Sequence, residues 1–482
     1  MASTGIRRIL TTRRAEAPRV IGTDDHKIRD PSLRTIFFME AEGLYAVDLG
    51  PAADPSRGGA ARSASAAPAP AGGRFERRRI NFTARVEVDH RIEWKQVFNE
   101  SWRVMKHRFY DADMHGVDWA KAKEVYEPLM DYVADQEEMH NIVSQMIGEL
   151  NASHTGISAT PTAEERERSA QTRFPGFEME PDSSGYYKVS YIYKDGPADK
   201  DYANVNVGDY VLAIDGHELK AGDNYWKYLT AVRGEKLTFT LNSKPDPAGA
   251  GVHLGKVQPV SATAYATLQY ERWVADRKAM VAKLSNGEIG YLHIRAMNEP
   301  SLRRFERDLV ESHDKKALII DQRFNPGGGI DQELLEILSQ RQYQYTKARD
   351  SVQATRPQQG FFGPMVVMEN ERSTSDAEVF PDGFRTLGLG KVVGKTTYGA
   401  VIGTGAYRLL DGSSIRTPGT GLWNVKGYNL ENYGVPPDVD VDNTPEDFLA
   451  GRDAQLEKAV QVLQEEIKNR KPSEVKTATG SK

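Results

Sequence analysis

The sequence predicts a multidomain protein of mixed α+β and α/β class, and three observations carry that expectation. Apolar residues recur at helical spacing between about residues 84 and 165, strand-like runs broken by glycine turns fill 166–260, and strand and helix patterns alternate through 265–470. The first segment implies a small helical domain and the second a β domain. The third implies a C-terminal α/β domain with a largely parallel sheet and right-handed crossovers. With 482 residues, the chain has room for roughly three such domains.

In chain order, residues 1–50 begin with "MASTGIRRILTTRRAEAPRV", which has arginines but no apolar core for a signal peptide. A cytoplasmic protein is therefore expected, or a periplasmic one if the true N-terminus lies upstream. "LRTIFFMEAEGLYAVDLG" reads as two strands around Glu42-Gly43, the end of a β module. The Pro/Ala/Gly/Ser-rich stretch 51–80 reads as a linker. In the helical segment, Trp94, Val97, Phe98, Trp102 and Met105 fall on one stripe. A second stripe holds Met139, Ile142, Val143, Met146, Ile147 and Leu150, stopping at Asn151.

Strands are expected in "GYYKVSYIYKDGPADK", "NVNVGDYVLAIDGHEL" and "EKLTFTLNS". The Gly208–Gly216 hairpin resembles that of a PDZ module, with "RFPGFEM" where the peptide-binding loop would stand. The resemblance implies peptide capture by strand addition; a structural barrel that binds nothing is the alternative. Beyond 285 come strand "EIGYLHIRAM", helix "PSLRRFERDLVES", strand "KALIIDQ", a glycine loop and helix "IDQELLEILSQ". Strand "GPMVVMEN", helix "DAEVFPDGFRTLG" and strand "KVVGK" follow, and 471–482 reads as a disordered tail. In open parallel sheets, functional residues gather where strands end and helices begin.

Composition excludes several classes. A net charge of −5 offers no basic surface for nucleic acid, and no apolar run approaches the roughly 18 residues of a membrane span. The absence of cysteine excludes disulfides, thiolate metal sites and a cysteine nucleophile.

Four stretches could carry chemistry. "MVVMENERSTSDAEVF" places Ser373, Thr374, Ser375 and Asp376 at a strand-to-helix junction, as a helix cap or as a nucleophile beside free N–H groups. "DQRFNPGGGIDQ" lacks both phosphate-loop patterns, so Gly327 and Gly328 form a plain turn or aim an N–H into a cleft. His154 follows Ser153 in "LNASHTGIS", as a partner for the helix dipole or as the base that takes a serine proton. Glu431, in "NLENYGVPPDVDVD", is an exposed carboxylate or the group that orients that base.

Taken together and in this order, "DQRFNPGG", "NERSTSDAEVF" and "LENYGVPPDVDVD" resemble motifs of the tail-specific, or C-terminal-processing, serine peptidase superfamily. "QVFNESWRVMKHRFYDADMHGVDW" and "LNASHTGIS" are similar to its tricorn branch, and the resemblance spans about residues 84–470. It implies a crotonase-like α/β peptidase domain, Ser375 as nucleophile, His154 as general base, and Ser153 and Glu431 as the relay behind it. It also implies an oxyanion hole from the Asp376 N–H and that of Gly327 or Gly328. Peptide or unfolded-protein substrates, a metal- and cofactor-free mechanism and a homo-oligomer, a hexamer in that family, are implied as well. Asp350 matches an acidic residue that favours basic side chains before the scissile bond from a neighbouring subunit.

Many tail-specific relatives use a Ser-Lys dyad, with the lysine in a "TFGKG"-like segment. Here the segment is "TTYGAVIG" and Ala400 stands at that position, with Lys391 and Lys395 off register. A Ser-Lys peptidase and a catalytically dead, PDZ-containing peptide-binding scaffold remain the two alternatives.

Overall fold

The computed structural model describes residues 35–40, 43–48, 77–80, 87–159, 171–230, 235–351 and 354–470. The chain divides into a unit ending at Val88 and a second unit from Asp89 onward. In the first, β1 (Thr35–Glu40) pairs antiparallel with β2 (Gly43–Asp48), and β3 (Arg77–Ile80) adds to β2. The last four residues of the expected linker are thus strand. The rest of 51–80, like the tail 471–482, lies outside the described residues.

In the second unit, α1 (His90–Arg108), α2 (Trp119–Tyr126) and α3 (Gln136–Gly148) start on aspartate caps, Asp89, Asp118 and Asp135. Each carboxylate satisfies N–H groups of the first turn that have no intrahelical partner. The two apolar stripes meet: Val97, Phe98 and Met105 are fully buried against Met139, Val143 and Met146. Trp102 and Trp119 donate their indole N–H groups to each other's carbonyl (2.8 and 3.1 Å), fixing α1 to α2.

This core also contains Leu409 and Ile415, some 260 residues further along. They belong to the hairpin of β17 (Ile402–Arg408) and β18 (Ser414–Gly421), and the short strand β4 (Ile157–Ser158) after α3 pairs with β18. That closure brings the turn holding His154 beside a segment near residue 400.

The next layer is an antiparallel sheet. Its strands are β5 (Phe177–Pro181), β6 (Tyr187–Ile192), β7 (Tyr210–Ile214), β9 (Leu237–Asn242) and β10 (His253–Val257), ordered β10-β9-β7-β6-β5. β8 (His217–Glu218) pairs with β7, and a short helix, α4 (Trp226–Thr230), lies between β8 and β9. A long helix absent from the sequence expectations, α5 (Ala262–Leu284), follows. Its first half meets the antiparallel sheet, where Tyr265 stacks on Phe174 at 4.4 Å and Arg272 pairs with Glu178. Its second half buries Val274 and Val281 against the α/β core.

The α/β sheet is wholly parallel, with β11 (Ile289–His293), β12 (Ala317–Asp321), β15 (Met365–Glu369), β16 (Lys391–Gly394) and β19 (Val439–Asp440) in sequential order. Right-handed crossovers between strands added in one direction place their helices on one face. Accordingly α6 (Glu299–Glu311), α7 (Asp331–Leu338) and α8 (Asp376–Thr386) share one core, centred on Phe305, Leu334, Phe380 and Phe384. The opposite face therefore needs cover from outside the repeat. It comes from α5 and from α10 (Ala454–Asn469), which follows the short helix α9 (Pro445–Leu449). A two-stranded hairpin, β13 (Gln344–Thr346) and β14 (Ala354–Arg356), interrupts the path from α7 to β15.

Candidate active site

Ser375 occupies the turn between β15 and α8, half-buried, with φ 60° and ψ −124°. Non-glycine residues rarely adopt such a backbone, and strain of this kind is a recurring feature of exposed nucleophiles at strand-to-helix turns. Ser375 and Glu378 form a capping box at this helix start. The helix start is served by Glu378, whose Oε1 accepts from the Ser375 N–H (3.0 Å), while the Glu378 N–H donates to the Ser375 carbonyl (2.7 Å). Ser373, in contrast, is fully buried and structural: its hydroxyl donates to the Gln322 carbonyl and accepts from the Asn370 N–H.

The glycine loop abuts this turn. A Cβ on Gly327 (φ +89°) would lie 2.6 Å from the Ser375 Cβ, so only glycine allows the approach. Buried Asn325 shapes the loop: it receives the Gly327 N–H (2.9 Å), donates to the Ile294 carbonyl, and takes the Thr374 N–H on its own carbonyl. The Gly327 N–H is therefore already engaged, which tells against its use as an oxyanion donor. The N–H groups of Gly328 and Asp376 have no hydrogen-bond partner among the described residues. The Asp376 carboxylate faces the start of α7, accepting from the Ile330 (2.8 Å) and Asp331 (3.2 Å) N–H groups. Burial, reinforced by a hydrogen bond to the Asp331 carboxyl, raises its pKa to about 7.

Away from this turn, Glu431 is almost fully buried and accepts from the Ser153 N–H (2.6 Å), the Ser153 hydroxyl (3.0 Å) and the Val401 N–H (2.7 Å). Ser153 Oγ lies 2.7 Å from His154 Nδ1. The single hydroxyl proton goes to the carboxylate, so Ser153 Oγ accepts from the imidazole, Nδ1 carries the ring proton, and Nε2 keeps a free lone pair. Burial, helped by nearby Arg416 and opposed by Glu431, lowers the His154 pKa, so the ring is neutral at neutral pH. Asn429 ties the Glu431 loop to Tyr110, just beyond the end of α1, accepting the Glu431 N–H and donating to the Tyr110 hydroxyl.

Among the described residues, no hydrogen bond joins Ser375 Oγ to His154, a contact that in serine hydrolases tightens on substrate binding. Hydrogen bonds nevertheless run from one to the other through Glu378, residues 399–401, Glu431 and Ser153. Lys391 and Lys395 are committed elsewhere, to Glu466 and Asp440. Asp350 is exposed on the β13–β14 connection, and no hydrogen bond links it to this group. Glu378, Asn325 and Arg323, which braces the glycine loop, were missed in the sequence. Only the three-residue spacing from Ser375 to Glu378, a capping-box signature, could have pointed to the first.

The chain is similar to known proteins along most of its length. Residues 288–441 match the model of peptidase family S41 and residues 90–148 that of the tricorn protease C1 domain. Tricorn protease homolog 1 of Streptomyces coelicolor is 32% identical over 387 residues, covering 78% of this chain and 35% of the relative. A putative tricorn-like protease C-terminal subunit of Sulfurisphaera tokodaii is 30% identical over 398 residues, covering 80% and 45%. The crystal structure of the tricorn protease superposes with a TM-score of 0.75 at 24% identity, covering 91% of this chain and 41% of that one. The chain thus spans between a third and a half of the length of the tricorn relatives it matches. Its α/β segment matches peptidase family S41 and its helical segment the tricorn protease C1 domain, and the chain as a whole is similar to tricorn proteases.

Proposed function

We propose that the chain is a serine peptidase that hydrolyses peptide bonds through an acyl-enzyme on Ser375. The observation that carries this reading is the Glu431–Ser153–His154 relay, whose proton order leaves Nε2 as a base. Nε2 takes the Ser375 proton as Oγ attacks the peptide carbonyl carbon. The Gly328 and Asp376 N–H groups, at the positive end of α8, hold the oxyanion. Collapse breaks the C–N bond, and the imidazolium gives its proton to the leaving amine. Water, deprotonated by the same ring, then releases the acid and restores Ser375. No step calls for a metal or cofactor.

Peptides or unfolded segments are the proposed substrates, and the sheet β5–β10 is proposed to be PDZ-like, with its β5 edge free to accept a strand. Assembly into a homo-oligomer, in which Asp350 reaches a neighbouring copy's cleft, belongs to the same reading. Among the described residues, no helix is long and apolar enough to cross a membrane. A Ser-Lys mechanism is disfavoured by Ala400, which is buried and donates its N–H to Glu378.

A fluorophosphonate probe tests the proposal. Labelling confined to Ser375 and lost in His154→Ala is expected. An unlabelled wild-type chain would refute the peptidase, and full labelling of His154→Ala would refute the histidine base.

The pH profile offers a second check. kcat/KM should rise as His154 deprotonates, below its ordinary 6.5. It should fall again near 7, as the Asp376 carboxyl ionises beside the developing oxyanion. Asp376→Asn, which keeps the backbone donor, is expected to remove the alkaline limb alone; an unchanged limb would dismiss this carboxyl as its source.

A further inference from the structure

Glu378 is fully buried, three residues beyond the proposed nucleophile, and no cation pairs with it among the described residues. An ionised carboxylate offers about four acceptor sites, and four donors fill them. Oε1 takes the N–H groups of Ser375 (3.0 Å) and Ala400 (2.8 Å). Oε2 takes the Gly399 N–H (2.6 Å) and the Thr397 hydroxyl (2.5 Å).

The next N–H along the chain, that of Val401, goes instead to Glu431 Oε2, the oxygen that also receives the Ser153 hydroxyl. Three consecutive peptide N–H groups therefore run from one buried carboxylate to the other. One carboxylate carries the nucleophile's backbone and the other the histidine relay. The strap between them is braced. Its Tyr398 N–H donates to the Ser373 carbonyl (3.0 Å), and its Gly399 carbonyl accepts from Asn432 (2.7 Å). A Cβ on Gly399 (φ +85°) would come within 3.1 Å of backbone atoms of residues 432–434, so the strap is closely packed there.

We propose that Glu378 is a positioning residue, which splints Ser375 to the 397–401 strap and so sets the separation of the Ser375 hydroxyl from His154 Nε2. The proposal rests on the peptidase reading above. It explains why a carboxylate is needed where a helix cap alone would accept an amide. Glutamine would turn an NH2 towards the Gly399 N–H, a donor facing a donor, while aspartate is one methylene too short to reach the strap.

Because Glu378 is buried away from the substrate, its loss should disturb the acyl-transfer geometry and leave substrate binding alone. A misplacement of about 1 Å costs on the order of a hundredfold in rate. Glu378→Gln is therefore expected to lower kcat by about ten- to a hundredfold, with KM within twofold of wild type and the fluorophosphonate labelling rate falling in parallel. Glu378→Ala should lose more of both.

A kcat within threefold of wild type in Glu378→Gln, or a KM that rises as kcat falls, overturns the proposal. If Glu378→Gln does not fold by circular dichroism, Thr397→Val decides. It removes one of the four donors, and with it the acceptor of the Val435 N–H. A drop in kcat at constant KM supports the splint, and an unchanged kcat overturns it. Labelling of wild type at Ser375 separates the two failures. An unlabelled wild type removes the peptidase reading and this proposal together, whereas a labelled wild type with an unaffected Glu378→Gln removes this proposal alone.

Discussion

Replacing Ser375 with alanine is expected to lower peptide hydrolysis by at least about 10³-fold, because what remains of catalysis after a nucleophile is lost comes from the oxyanion donors and binding alone. The fold should survive the change, because the Ser375 N–H still donates to the Glu378 carboxylate and the Glu378 N–H to the Ser375 carbonyl. Glycine at the same position separates chemistry from conformation. At φ 60° and ψ −124° a side chain costs about 1–3 kcal/mol. Glycine relieves that strain but orders a more flexible chain, at about 0.5–1 kcal/mol. The strain term wins, so Ser375→Gly should be as inactive as Ser375→Ala and about 1 kcal/mol more stable. Fluorogenic peptide turnover and thermal denaturation of the three proteins check both halves. Hydrolysis within tenfold of wild type in either variant removes Ser375 as nucleophile, and a glycine variant less stable than the alanine one removes the strain argument.

What the sequence made legible follows from how local each signal is. Ser375, His154 and Glu431 each sit at a break between periodic segments, where each also has a bland use, and only the resemblance of the stretches taken together joined them into one candidate site. The alternating α/β segment was clear, since its strands, buried on both faces, read as continuous apolar runs such as "ALIID" and "MVVME". Glu378 stayed hidden because its partners are mainly main-chain N–H groups at 399 and 400, which no residue type announces. The choice between Gly327 and Gly328 was open for a similar reason: it turns on whether the Asn325 side chain has already claimed an N–H. Helix α5 was missed because one half packs on the antiparallel sheet and the other on the parallel one, so it shows no single apolar stripe. The β17–β18 hairpin gave no hint that Leu409 and Ile415 complete a core some 260 residues earlier, since that contact is purely tertiary.

Arg323→Met is expected to be the most damaging single change to stability. The guanidinium is 1% exposed, two residues before Asn325. It binds Asp321 through Nε and Nη2 (3.0 and 2.7 Å), Asp453 through Nη1 and Nη2 (2.9 and 3.0 Å), and Gln455 through Nη1. Asp453 caps α10 through the Leu456 N–H, and His293 bonds the Arg323 carbonyl, so one side chain joins the glycine loop, the sheet and the C-terminal helix. Methionine fills similar volume but leaves Asp321 with only the Tyr291 hydroxyl and a backbone N–H, and Asp453 with Arg277 as its remaining cation. Orphaning buried carboxylates in this way costs about 3–5 kcal/mol, and hydrolysis should fall with it as the Asn325–Gly328 loop loosens. Acid titration of stability supplies a signature that lost packing would not. In the wild type, burial pushes the Asp453 pKa up, but Arg323 and its hydrogen bonds outweigh it and hold the group at about 2. A folded-state value below the unfolded one of roughly 4 contributes stability above pH 4 that is lost as pH falls towards 2, on the order of 2 kcal/mol. Without Arg323, burial prevails and the folded value rises, so Arg323→Met should show a flat or reversed slope across that window. Urea midpoints measured between pH 2 and pH 5 decide the matter: parallel slopes in the two proteins, or a destabilisation under 1 kcal/mol, would mean that Arg323 does not hold these carboxylates in the folded chain.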